Sequence, residues 1–246
     1  MRLNRFLAQA GVDSRRKCDL LIQQGRVYIN GVPVTQLGLK IDPDRDQIAV
    51  DGQPVRVGER LTYILLNKPA GYIVTAQDTH HRKTVFDLLS GIPQRVFPVG
   101  RLDIDTEGVL LLTNDGDLAF RLSHPRYQVS KTYLALVEGV PAKEALERLS
   151  QGVRVDNWVS SPAQVRLVKV TAGDALVEIK LHEGRKRQVK KMCQTVGHRV
   201  KRLWRTAFAG IRVADLPPGR WRRLRESEVR KLSTLVGLSP DSKNIE

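Results

Sequence analysis

The sequence predicts an α+β protein in two unequal parts: a small N-terminal α/β module, then a larger unit on a mixed, largely antiparallel sheet. Three observations predict this. The first sixty residues read as helix, helix and hairpin. Beyond residue 60, strand signals dominate and helices interrupt them irregularly, rather than alternating one for one as a doubly wound fold requires. Neither a G-x-G-x-x-G nor a Walker sequence occurs, so a nucleotide cofactor is disfavoured.

Leu3, Phe6, Leu7 and Ala10 recur at helical spacing, and Gly11 stops the run. Asp13 or Ser14 caps a second short helix, on which Cys18, Leu21 and Ile22 share a face before Gly25 ends it. In RVYINGVPV, Val27 and Ile29 alternate, Asn30-Gly31 supplies a tight turn, and Val32 and Val34 return. A further strand, QIAVDGQPV, closes the module near residue 56, and VGER (57–60) serves as a linker. The larger unit opens with a buried strand, LTYILLN, and the turn KPAG. Further strands are expected at 95–99, 109–113, 128–138, 163–170 and 175–182, and helices at 83–90, 116–123, 141–150, 185–196 and 226–236. Pro141 suits a first helical turn, and Gly184 precedes another helix. The division expected is 1–60, 61–231, and a loose C-terminal tail at 232–246.

With 246 residues, 41% hydrophobic and 27% charged, the chain has the material for a real core and reads as globular. No apolar run approaches the eighteen residues of a membrane helix, and the N-terminus lacks the long apolar core of a secretory signal. Cys18 and Cys193 lie far apart without metal-ligand spacing, so a reducing, cytoplasmic compartment is expected. The five histidines are scattered and a zinc site is disfavoured.

The net charge of +15 is unevenly spread. Residues 1–60 carry +3, residues 61–184 balance, and residues 185–231 hold 16 Lys/Arg against 3 acids, net +13. There the bases are interleaved with Val196, Val200, Leu203, Trp204, Phe208 and Ile211, so the segment is expected to fold and present its charge on one face. Such a face fits a polyanion, with nucleic acid first. Aromatic residues are only 5% of the chain, which argues against extensive base-stacking platforms. Arg2, Arg5, Arg15, Arg16 and Lys17, with Arg26, cluster on the two N-terminal helices and the hairpin entry and suit phosphate contacts.

Residues 100–117, GRLDIDTEGVLLLTNDGD, carry the clearest chemical signal. Gly100 permits close backbone approach, and Asp103 stands at the mouth of a buried strand near Arg101. A carboxylate beside an arginine stays ionised, which suits a nucleophile better than a proton donor. It also fits a carboxylate that only pairs with Arg101 or caps a turn. Asp105 and Glu107 read as surface acids. In EGRKRQVKKM (183–192), Arg185 and Arg187 follow Gly184 near a helix start. There they suit phosphate binding or a buried pair with Asp103, while Lys190 and Lys191 meet a nucleic-acid backbone. Tyr133 is either core or, facing the Asp103 cleft, a ring for a base. Lys68 is either a turn lysine or a phosphate contact.

NKPAG (67–71), GRLDIDTEGVLLLTNDGD, KTYLALVEG (131–139) and EGRKRQVKKMCQTVGHRVKRLWRTAFAGI (183–211) together resemble the ribosomal RNA pseudouridine synthases of the RsuA/RluB type. RLNRFLAQAGVDSRRKCDLLIQQGRVYINGVPV is similar to the small S-four-type RNA-binding module common in that family. The resemblance implies the pseudouridine synthase fold, with Asp103 as the catalytic aspartate. Tyr133 would pack on the target uracil, and Arg185 would pair with the aspartate, with Arg187 close enough to share that role. Arg101 would hold the aspartate and the flipped nucleotide. Lys190 and Lys191 stand where relatives often carry arginine. The implied reaction isomerises uridine to pseudouridine without metal or cofactor, on ribosomal RNA or a pre-ribosomal particle, by a monomer with no membrane partner. The large subunit is favoured on overall resemblance. Two other readings compete: a non-catalytic RNA-binding or ribosome-assembly factor, and a glycosidase, which a protein of charge +15 suits poorly.

Overall fold

The computed structural model describes residues 1–56, 60–76 and 78–239. Of the expected linker (57–60) residues 57–59, and of the expected tail (232–246) residues 240–246, lie outside the described residues. The N-terminal module runs α1 (Leu3–Gln9), α2 (Arg15–Gln23), β1 (Val27–Ile29), β2 (Val32–Val34), β3 (Ile48–Val50) and β4 (Gln53–Val55). Its antiparallel sheet has the order β2-β1-β3-β4. Asn30-Gly31 and Asp51-Gly52 each take two successive positive φ values, the requirement of a type I′ turn. QIAVDGQPV is therefore a second hairpin and not one strand. Ser14, rather than Asp13, caps α2, accepting from Lys17 N at 3.3 Å. Leu3, Phe6, Leu7, Cys18, Ile22 and Val27 form a small core of the module's own.

The larger unit continues with β5 (Tyr63–Lys68), β6 (Phe97–Pro98), β7 (Thr106–Thr113), α3 (Gly116–Ser123), β8 (Lys131–Glu138), α4 (Lys143–Gln151), β9 (Arg154–Val155) and β10 (Trp158–Val159). It ends with β11 (Gln164–Thr171), β12 (Asp174–Leu181), α5 (Gln188–Thr195), β13 (Val200–Phe208), β14 (Ile211–Arg212), β15 (Trp221–Arg223) and α6 (Glu226–Leu235). Among the described residues, nine strands form one sheet ordered β11-β12-β8-β13-β7-β5-β15, with β14 beside β13 and β6 beside β7. Only β13 and β7 run parallel; their neighbours are antiparallel, as expected for a mixed, largely antiparallel α+β sheet.

Both faces of the sheet are covered, so its central strands are apolar throughout rather than alternating. Ile64, Leu66, Leu110 and Leu112 join the core that takes in Leu149 of α4 and Val189, Met192 and Cys193 of α5. Tyr63, Leu65, Val109 and Leu111 join the opposite core, with Leu118 and Leu122 of α3 and Val229 and Leu232 of α6. Asp115 caps α3 through Asp117 N and Leu118 N, and its second oxygen accepts from the buried Tyr63 hydroxyl at 2.9 Å.

Several expectations need correction. The helix expected over 83–90 is a single 3-10 turn, Val85–Leu88, whose Thr84 N donates to Asp87 at 2.7 Å. The helix expected from 185 begins at Gln188, because Arg187 adopts a left-handed conformation. A boundary at 231 does not hold either: α6 runs through it, and Leu232 and Val236 are core residues. The cationic segment contains the central strand β13, which the charge pattern concealed.

Cys18 and Cys193 are free and buried. No described helix is long and apolar enough to cross a membrane.

Candidate active site

Asp103 lies on the loop between β6 and β7. Gly100 enters it with φ +72°, Leu102 anchors it in the core, and Thr106 N donates to Asp103 O at 3.1 Å. Lys68, at the end of β5, is wholly buried beneath this loop. Its Nζ donates to the carbonyl oxygens of Pro69, Asp103, Ile104 and Thr106 at 3.0, 3.1, 3.3 and 2.8 Å. Gly71 N holds Ile104 O at 2.8 Å. Burial brings the Lys68 ammonium down to about 8, against the opposing pull of Asp105, Glu107 and Asp103. Lys68 is therefore not a phosphate contact, because the loop it clamps walls it off from solvent. It fixes the backbone that carries Asp103.

The loop faces a cleft of about 460 Å³. Arg101, Asp103, Tyr133, Arg185 and Arg187 all line it, so the structure brings together five side chains from three separate motifs. Tyr133 is buried on β8, in register with Ile179 of β12 and Arg205 of β13. Among the described residues, the Asp103 carboxylate has no ion pair within 4.0 Å, and the expected pair with Arg185 or Arg187 is not formed. Arg185 stacks on the Trp158 ring at 4.6 Å, with its Nε 4.0 Å from Glu183. Arg187 is exposed at the start of α5, and Lys186 between them is also exposed.

Lys190 and Lys191 are each engaged by an acid of this chain. Lys190, only 12% exposed, is paired with Asp105, and Lys191 with Asp156. Lys201 and Arg202 on β13 pair with Asp174 and Glu107 at 2.7 and 3.0 Å. Acids of the neutral middle segment thus offset much of the charge expected to face a ligand. The N-terminal bases divide similarly. Arg2, Arg15 and Arg16 are exposed, whereas Arg5 binds Asp117 at 2.5 Å and Lys17 binds Asp13 at 3.2 Å.

Besides Lys186, two cleft residues escaped the sequence reading. Arg205 is buried on β13; its Nε donates to Val109 O at 2.8 Å and its guanidinium lies 5.0 Å from the Phe208 ring centre. One terminal nitrogen has no hydrogen-bond partner among the described residues, a costly arrangement for a buried donor unless a ligand completes it. The signal was present: Leu203, Arg205 and Ala207 alternate on the inward face of one strand. Lys131, which opens β8, is the second. Its Nζ donates to Val129 O at 3.0 Å and His182 O at 3.4 Å. Burial first, and then the Arg205 charge, lower it to about 8 while Glu183 opposes. The Asp103 carboxylate on its clamped loop, a buried ring and cations that outnumber the second lining acid, Glu183, suit a polyanionic substrate with a planar base.

Comparison with known proteins agrees with this geometry. Residues 62–195 match the family model described as RNA pseudouridylate synthase, and residues 1–48 match the S4 domain. The chain is 47% identical to an uncharacterized RNA pseudouridine synthase of Aquifex aeolicus, over 97% of this chain and 96% of that protein. It is 44% identical to the ribosomal large subunit pseudouridine synthase B of Bacillus subtilis, over 96% of each. A solved pseudouridylate synthase superposes with a TM-score of 0.69 at 28% identity, covering 94% of this chain and 99% of that one.

Proposed function

The chain belongs to the RNA pseudouridylate synthase family, and from that premise we propose that it isomerises a uridine of large-subunit ribosomal RNA, with Asp103 as the catalytic carboxylate. The observation that carries the assignment is the Asp103 loop, clamped by Lys68 and opening on a cleft that Tyr133 and several cations also line. The large-subunit choice rests on the name of the Bacillus subtilis relative.

The target uridine must first leave its stack, at a cost of a few kcal/mol. Tyr133 offers a surface for the uracil, worth about 1–3 kcal/mol in stacking. Arg185, Lys186 and Arg187 at the cleft wall suit the flanking phosphates. Asp103 then acts on the ribose, as nucleophile at C1′ or as the base of an elimination to a glycal. Either route breaks the N1–C1′ bond, turns the base and joins C5 to C1′; N1 gains a proton and C5 gives one up. Substrate and product are isomers, so the balance requires no oxidant, reductant or group donor, and we take the reaction to run without a cofactor. Arg205, with its spare donor in the cleft wall, is placed to bind a substrate oxygen or Asp103 itself.

Asp103→Asn tests the assignment. With normal folding and RNA affinity retained, pseudouridine formation on ribosomal RNA transcripts is expected to fall by at least about 10²–10⁴-fold. Unimpaired turnover would remove Asp103 from the mechanism. Mapping pseudouridine in a deletion strain checks the subunit, and a lost modification confined to small-subunit RNA would overturn that part.

A further inference from the structure

The C-terminal end of α3 and the 3-10 turn Pro125–Tyr127 carry an aromatic and cationic cluster that no step above uses. Phe120 is 50% exposed, on the side of α3 away from the buried Leu118, Ala119 and Leu122. Its ring centre lies 5.0 Å from that of His124 and 6.4 Å from that of Tyr127, the latter nearly edge-on at 83°. The Arg126 guanidinium sits 4.6 Å from the Tyr127 ring centre and 5.8 Å from that of Phe120, and Arg121 lies 5.6 Å from Tyr127.

A single exposed phenylalanine needs no explanation. This one belongs to an ordered assembly in a chain with few aromatic residues. His124 Nδ1 accepts from Arg126 N at 3.2 Å, which fixes its ring, and the Tyr127 hydroxyl is bonded to Arg126. Ser123 and Pro125, on either side of His124, line the Asp103 cleft, so the cluster is continuous with it. Its π faces and cations match a ligand that is at once planar and anionic.

We propose that Phe120, with His124, Tyr127 and Arg126, forms a stacking platform for a nucleobase of the RNA strand flanking the target uridine. The proposal rests on the reading of the chain as a synthase acting on RNA and adds a binding site to it. Flipping the uridine deprives its neighbours of a stacking partner, and an exposed ring beside the cleft replaces that partner. Arg126 adds a cation–π contact or meets the adjacent phosphate. Stacking tolerates any base, so the platform governs affinity rather than the identity of the base beside the target.

The test uses the full-length protein and in vitro transcripts of both ribosomal RNAs, with Phe120→Ala, Phe120→Leu, Phe120→Trp and Arg126→Ala. Phe120→Ala and Phe120→Leu are expected to raise KM and Kd about 10-fold or more, with kcat within about threefold. Phe120→Trp should bind as wild type does. Phe120→Ala should leave the salt dependence of binding unchanged, because no phosphate contact is lost. Wild-type affinity in Phe120→Ala, or full rescue by leucine, would overturn the platform. So would a defect seen only on ribosomal particles and absent on naked RNA, which would mark a protein-binding surface. The two readings fail separately. A wild type that makes no pseudouridine but binds RNA through Phe120 sinks the synthase reading and keeps the platform. Normal modification with an indifferent Phe120 does the reverse.

Discussion

Lys131 holds its charge in the cleft wall at a cost, and the direction of that cost sets a pH dependence. Its folded value of about 8 lies below the ordinary 10.5. Between those two values the unfolded chain therefore binds more protons than the folded one, and stability attributable to this group rises with pH across the window. Below about pH 8 the ammonium is present and strained by burial. An RNA phosphate relieves that strain by favouring the charged form. KM for RNA is therefore expected to rise as pH increases from 6.5 to 8.5, and Lys131→Arg, which stays charged, should flatten the rise. An identical profile in the arginine variant would show that another group titrates. The site residues differ in how far sequence disclosed them. Asp103, Tyr133, Arg101, Arg185 and Arg187 sit in contiguous motifs, and the fold brings them to one cleft. The clamping role of Lys68 was not legible, because its burial depends on a loop some 35 residues further along the chain folding over it. Arg205 was hidden among neighbouring bases, although its inward register on β13 set it apart.

At the level of elements, the join between β7 and β13 decides whether the cleft exists. Leu203, Trp204 and Arg205 run parallel beside Thr106, Glu107 and Gly108, so this contact ties the Asp103 loop to the strand bearing Arg205. Gly108 makes it possible. Its φ is +104°, and a Cβ there would stand 2.3 Å from Arg205 O and 3.0 Å from Arg205 N. Gly108→Ala is expected to cost about 1–3 kcal/mol for the backbone conformation and a similar amount for overpacking. Equilibrium urea unfolding measures it; a loss below about 1 kcal/mol would mean that the strands separate easily. β13 illustrates what periodicity alone leaves out. VKRLWRTAF carries three bases in nine residues, and local pattern reads these as a surface. Long-range pairing instead makes it a central strand, with Lys201 and Arg202 satisfied by acids from other elements. The apolar strands β5 and β7 and the helices α3 and α6 were legible because their own residues specify them.

At the scale of the whole molecule, ion pairs among the described residues link the N-terminal module to the larger unit, Arg5 with Asp117 at 2.5 Å and Asp13 with Arg95 at 2.8 Å. Between the two parts lies a groove of about 970 Å³, lined by Arg15, Arg16 and Lys17 on one side and by Phe86, Leu89 and Ile92 on the other. Exposed ion pairs of this kind contribute only about 0–1 kcal/mol each and weaken with salt, so these pairs by themselves hold the two parts together only weakly. Arg5 is also a candidate phosphate ligand, and an RNA that claims it must displace Asp117. Asp117→Asn is therefore expected to tighten RNA binding at low salt by about two- to fivefold, the equivalent of one such pair. It should also broaden the distribution of distances between the parts. Dyes on cysteines introduced at the exposed Leu37 and Val168 report that distance by energy transfer, since native Cys18 and Cys193 are buried. Raising the salt should make the wild type behave like the variant. If neither salt nor the substitution moves the distribution, the apolar side of the groove holds the module in place, and Arg5 reaches RNA only where Asp117 already permits it.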